Sequence, residues 1–96
     1  MTDIKSRSYK ARQRARQILI LNGFTVTSLA DGIFDLVVAD DSILKLVKVC
    51  LDSVTKAEID QIKKSPLPHF CGREIWVKKL NSPAFEIIKV KISVNR

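Results

Sequence analysis

Ninety-six residues with 46% hydrophobic content suffice for one small domain with a single core, leaving little room for a second. No apolar run approaches the ~18 residues needed to cross a bilayer, and the basic N-terminus is not followed by the apolar stretch of a signal peptide. The expectation is a cytoplasmic protein, a single domain over residues 1–96 with a flexible start over 1–6, and no membrane partner. The net charge of +7 is uneven: Lys5, Arg7, Lys10, Arg12, Arg14 and Arg16 stand against Asp3 alone, so the first sixteen residues carry +5 and the remaining eighty only +2. Such a block suits phosphate contacts, whose affinity comes from counterion release, and makes DNA the expected partner. An acidic protein surface would be attracted by the same charge.

From Arg7, "RSYKARQRARQILILNG" has helical periodicity. Ala11, Ala15, Ile18, Leu19 and Asn22 share one stripe, with Arg7, Lys10 and Arg14 along one edge and Arg12 and Arg16 along the other. Alanines at 11 and 15 permit close approach to a sheet, while the basic stems reach past its edges. Gly23 ends the helix by accepting the left-handed conformation after the last turn. Strands are expected over Phe24 to Leu29, Ile33 to Val38 and Ile43 to Val49, the last two joined as a hairpin through the turn residues "ADDS". "TKAEIDQIKK" is a second helix, with Thr55 and Glu58 at capping-box spacing. Two further strands are expected near Glu74 to Leu80 and Phe85 to Val94. The order is α-β-β-β-α-β-β, an α/β arrangement.

The stretch "FDLVVADDSILKLVKV" places Asp35 at the start of the hairpin and Lys48 near its end. With the element order, this resembles the restriction-endonuclease-like fold and its PD-(D/E)xK motif, and most of all the archaeal Holliday-junction resolvases. The resemblance covers most of the chain and implies a mixed central sheet flanked by helices, DNA as ligand, magnesium as cofactor and a homodimer. By the same resemblance, Asp35 corresponds to the aspartate that ligates magnesium and Lys48 to the lysine that positions or activates the attacking water. Departures are specific. Phe34 replaces the usual proline, Leu46 stands where the second acid belongs, and Arg12 falls where the first helix supplies a glutamate.

The cost of these losses follows from magnesium itself, a hard, strongly hydrated ion that takes oxygen ligands in near-octahedral array. Phosphodiester sites typically use at least two carboxylates. Asp35 and the Val47 carbonyl are the remaining protein donors, so magnesium is expected to bind weakly or not at all. Asp40 and Asp41 fall in the hairpin turn, several residues of about 3.3 Å away along the strand. Three functions therefore stand open: a nucleic-acid-binding protein of the nuclease fold with impaired catalysis, an active endonuclease whose acids come from Asp40, Asp41 or a partner chain, and a non-catalytic assembly protein docking on an acidic partner.

Alternation along the third strand puts Leu44, Leu46, Lys48 and Cys50 on one face and Lys45, Val47 and Val49 on the other. Lys48 then reaches solvent, pairs with Asp35 or keeps the catalytic position. Cys50 and Cys71 have no short metal-ligand spacing and read as buried thiols. His69 has no second histidine nearby, and Trp76 lies among core-forming residues.

Overall fold

The computed structural model describes residues 4–30, 32–68 and 70–91, with side chains from Ser6 onward. Helix α1 spans Ile4–Leu21, beginning three residues ahead of the expected start. It buries Ala11, Ala15 and Leu19 as its periodicity requires, with Ile18 half-buried beside them. The helix closes as expected at Gly23, whose φ of 94° lies in the left-handed region. The Gly23 N–H donates to Ile20 O at 3.0 Å and the Phe24 N–H to Leu19 O at 3.1 Å, satisfying carbonyls the helix leaves open.

Five strands follow: β1 (Thr25–Ser28), β2 (Leu36–Ala39), β3 (Leu44–Leu51), β4 (Gly72–Lys78) and β5 (Phe85–Lys89), with helix α2 (Lys56–Lys63) between β3 and β4. They form one sheet in the order β1-β2-β3-β4-β5. Neighbouring strands are antiparallel except β3 and β4, which run parallel and are joined by the α2 crossover. The expected hairpin is present. Asp40 forms its turn, its Oδ1 accepting the N–H groups of Ser42 at 2.7 Å and Ile43 at 2.8 Å. Strand β2 begins at Leu36 rather than Ile33, and β4 begins two residues early, at Gly72. The last strand ends at Lys89, short of the expected Val94: Val90 and Lys91 lie beyond it, and the expected part from residue 92 lies outside the described residues, as does His69.

The two helices cover opposite faces of the sheet. On β3, Val47 packs with Ala15, Leu19, Val26, Leu36, Val38 and Trp76 under α1. Leu46 lies against Phe34, Cys50, Ile62, Ile75 and Val77 under α2. Strand alternation makes these two faces of one sheet. Helix α2 is held at its start by the expected capping box: Thr55 Oγ1 accepts the Glu58 N–H at 3.1 Å, and Glu58 Oε1 accepts the Thr55 N–H at 3.0 Å. Among the described residues, no helix is long and apolar enough to cross a membrane.

One polar network is built into the α1 face. Lys45 and Glu74 pair at 3.2 Å with side chains only 15% and 10% exposed, and Glu74 also accepts the Trp76 indole N–H at 2.9 Å. The Lys45 ammonium lies 4.8 Å from the centroid of the Phe24 ring. Each charge thus has a partner where burial would otherwise penalise it. Cys50 and Cys71 are free and buried, as expected.

Candidate active site and nucleic-acid interface

Asp35 sits just ahead of β2, where the chain leaves the loop containing Gly32. Its N–H donates to Val47 O at 2.9 Å and its carbonyl accepts the Leu29 N–H at 2.8 Å. The ladder stops at the Leu36–Val47 pair, and the Asp35 N–H returns to the same Val47, so Asp35 lies beside β3 just outside the ladder. Asp35 Oδ2 accepts the Val49 N–H at 2.7 Å, so one carboxylate oxygen is committed to strand β3. Lys48 is half-buried, and its ammonium approaches Ile33 O at 3.4 Å. Among the described residues the ion pairs are Arg7–Asp52 and Lys45–Glu74, and Asp35 and Lys48 do not form one.

Asp35 also lines a cleft of about 360 Å³ between the sheet and α1, together with Tyr9, Arg12, Gln13 and the end of β1. Arg12 therefore shares a cleft with Asp35. Its guanidinium is permanently charged and cannot coordinate a cation. Leu46 is half-buried in the apolar cluster under α2. Asp40 is committed to its turn and Asp41 is exposed beside it, at the far end of β2 from Asp35.

These donors do not fit a magnesium ion. One carboxylate, half committed to a backbone N–H, a Val47 carbonyl already accepting from Asp35, and a neighbouring guanidinium leave too few free oxygens. Among the described residues, no three His, Cys, Asp or Glu side chains come together in a way that could hold a metal.

A carboxylate that sequence reasoning assigned only to helix capping reaches the Lys48 side of the hairpin. Glu58 Oε2 accepts from the Cys50 thiol at 3.8 Å, while its other oxygen closes the capping box. The Thr55 backbone N–H bond, helped by the Lys48 charge, holds the Glu58 carboxyl below the usual carboxylate range. Burial above all, with the Glu58 charge, pushes the Cys50 thiol up to about 11. The meeting of α2 with the end of β3 depends on the crossover, and no local signal in the chain announces it.

The cationic residues of α1 separate by edge, as their periodicity predicted. Arg12 faces the Asp35 cleft, whereas Arg7, Lys10 and Arg14 line a second cleft beside the end of β4. Arg7 is held by Asp52, its Nη2 lying 3.2 and 3.3 Å from the two carboxylate oxygens. Arg16 is half-buried, with its Nε shielded from solvent and lacking a hydrogen-bond partner. Lys5 belongs to α1, but its side chain lies outside the described residues.

No protein-family model and no curated protein matches the chain. Among solved structures it is similar to Hjc, a Holliday junction resolvase from the archaeal hyperthermophile Archaeoglobus fulgidus. The TM-score is 0.71 at 14% sequence identity, over 88% of this chain and 74% of that one. At this identity the likeness is one of fold, and this chain shares the fold of that resolvase. Asp35 lines the cleft on the α1 side of the sheet, whereas Lys48 shares the α2 face with Leu46 and Cys50, so the hairpin presents the two residues to different surroundings. Leucine serves the core at position 46, and arginine occupies the cleft at position 12.

Proposed function

We propose that the protein binds DNA through the basic face of α1 and that its nuclease site is catalytically impaired. The observation that supports the second part is that Arg12 lines the Asp35 cleft and Leu46 lies in the apolar cluster under α2, the two positions where the resemblance to the resolvases implies carboxylates. A guanidinium beside Asp35 attracts a phosphate where a metal would be repelled. Asp35 and Lys48 are in this reading remnants of the catalytic set, with Asp35 at most a weak magnesium ligand. Lys5, Arg7, Lys10, Arg12, Arg14 and Arg16 supply the phosphate contacts. Arg7 contributes less than its neighbours because Asp52 already compensates its charge.

The reading includes a cytoplasmic location and a homodimer, for which Ile20 and Leu21, 47% and 82% exposed at the end of α1, offer apolar surface. The test is incubation of branched and linear DNA with the protein and magnesium or manganese, alongside a binding titration at low salt. Binding without cleavage is the expected outcome. Cleavage that disappears in Asp35→Ala would establish an active site and overturn the impaired assignment.

A further inference from the structure

The second cleft, about 270 Å³, lies across α1 from Asp35 and combines two kinds of lining. Arg7, Lys10 and Arg14 come from the helix, and Lys78 and Lys79 from the end of β4. Five cations thus surround a space in which Asp52, bonded to Arg7, is the acid close at hand. Between them, Ala11, Leu51 and Leu80 make an apolar floor. Leu80 is 64% exposed although it belongs to this recess.

The lip of the cleft is preorganised. The Lys78 ammonium is bound to the carbonyl oxygens of Lys79, at 2.9 Å, and of Ser82. Ser82 in turn donates its N–H to Lys79 O at 3.3 Å and accepts the Ala84 N–H on its hydroxyl, also at 3.3 Å. On the opposite side, Asp52 fixes the Arg7 guanidinium and donates its own N–H to Lys78 O at 2.9 Å. Both walls are held before any ligand arrives, which reduces the ordering cost of binding.

Phosphates of a continuous duplex can be met by a convex row of cations, and they need no apolar recess. A cationic rim over an apolar floor matches a nucleotide whose base is unpaired: its phosphates meet the rim while the base leaves water. We propose that this cleft, with Lys79 and Leu80 as the residues added to the α1 cations, grips single-stranded nucleic acid by lodging an unpaired base against Leu51 and Leu80. This rests on the nucleic-acid reading above and specifies where on the molecule, and for which strand state, it operates.

Fluorescence anisotropy of the full chain tests it, using a labelled single-stranded DNA oligonucleotide, its duplex, and a single strand of equal charge with abasic sites. The single strand is expected to bind more tightly than the abasic strand, by about fivefold for roughly 40 Å² of apolar surface removed from water. Lys79→Ala should reduce the slope of log affinity against log salt by about 0.7 for the single strand. Leu80→Ala should weaken the single strand but not the duplex, while Lys63→Ala on α2 should leave both unchanged. Positions 79 and 80 are exposed, so these variants keep the fold. Equal affinity for intact and abasic strands overturns the proposal, as does loss of binding in Arg12→Ala with none in Lys79→Ala or Leu80→Ala. In both of those cases DNA binding by α1 stands. No binding to any of the three at low salt overturns the nucleic-acid reading itself.

Discussion

Replacing Leu46 with glutamate puts an acid where the resemblance to the PD-(D/E)xK motif implies one, into surroundings that are apolar. Leu46 packs on the cluster of Phe34, Cys50, Ile62, Ile75 and Val77 and is half-buried. Full burial of a leucine contributes about 1.5–3 kcal/mol, so the lost contact costs roughly half of that. Partial desolvation of the new carboxylate adds about 1–2 kcal/mol, and Lys48, two residues along on the same face, returns up to about 1 kcal/mol. The net loss is about 2 kcal/mol, or roughly 8–16 °C in Tm for a domain of this size.

Thermal unfolding followed by circular dichroism, with and without magnesium, measures both this loss and any gain of a metal site. A functional site at a hundredfold excess over Kd would restore about 2.7 kcal/mol, whereas Arg12 and the commitment of Asp35 Oδ2 to Val49 predict almost no magnesium effect. Leu46→Met, close in volume, should cost under about 1.5 kcal/mol. A glutamate variant as stable as the parent, or one raised many degrees by magnesium, would refute the argument that position 46 now belongs to the core.

Glu74→Ala leaves Lys45 buried without its acid and Trp76 without an acceptor, and should cost about 3–5 kcal/mol in urea unfolding; a change under about 1 kcal/mol would mean the pair is solvent-screened. With its thiol raised to about 11, Cys50 stays protonated at pH 8, so a disulfide reagent should react with it only on unfolding, and rapid labelling of the native protein would count against the burial. Glu58 has a folded pKa below its unfolded value, so its charge stabilises the fold above the unfolded carboxylate range, and that contribution disappears as pH falls through the folded pKa. The stability difference between the parent and Glu58→Gln should accordingly be larger at pH 7 than at pH 3, and a gap independent of pH would contradict it.

Much of the architecture is legible in local patterns. The stripe of Ala11, Ala15 and Leu19 specifies which side of α1 is buried, Asn22 and Gly23 mark its end, and Thr55 with Glu58 marks the start of α2. The hairpin follows from a turn whose aspartate binds the N–H groups ahead of it. Asp35 and Lys48 are legible as residues of one hairpin, but no ion pair joins them: the Lys48 ammonium lies near Ile33 O and Asp35 Oδ2 accepts from Val49 N–H.

What escapes is whatever depends on strands distant in sequence. Alternation sets Lys45 on the face of Val47 and Val49 but gives it no acidic partner. Only the parallel β3–β4 register brings Glu74 close enough to pair with it. Ile33 to Asp35 look like strand residues, but the ladder begins only at Leu36. Lys78 and Lys79 carry no signal linking them to α1, since the link is made by the end of β4 lying beside the helix.

The most direct test of the central claim is the dependence of DNA affinity on salt for the full chain and for a variant with Arg12, Arg14 and Arg16 replaced by alanine. Phosphate contacts predict tight binding at low salt, a linear fall of log affinity with log salt, and a slope smaller in the variant by about 0.7–0.9 for each contact removed. Absence of binding at low salt, or a slope that the three replacements leave unchanged, would contradict DNA binding through α1.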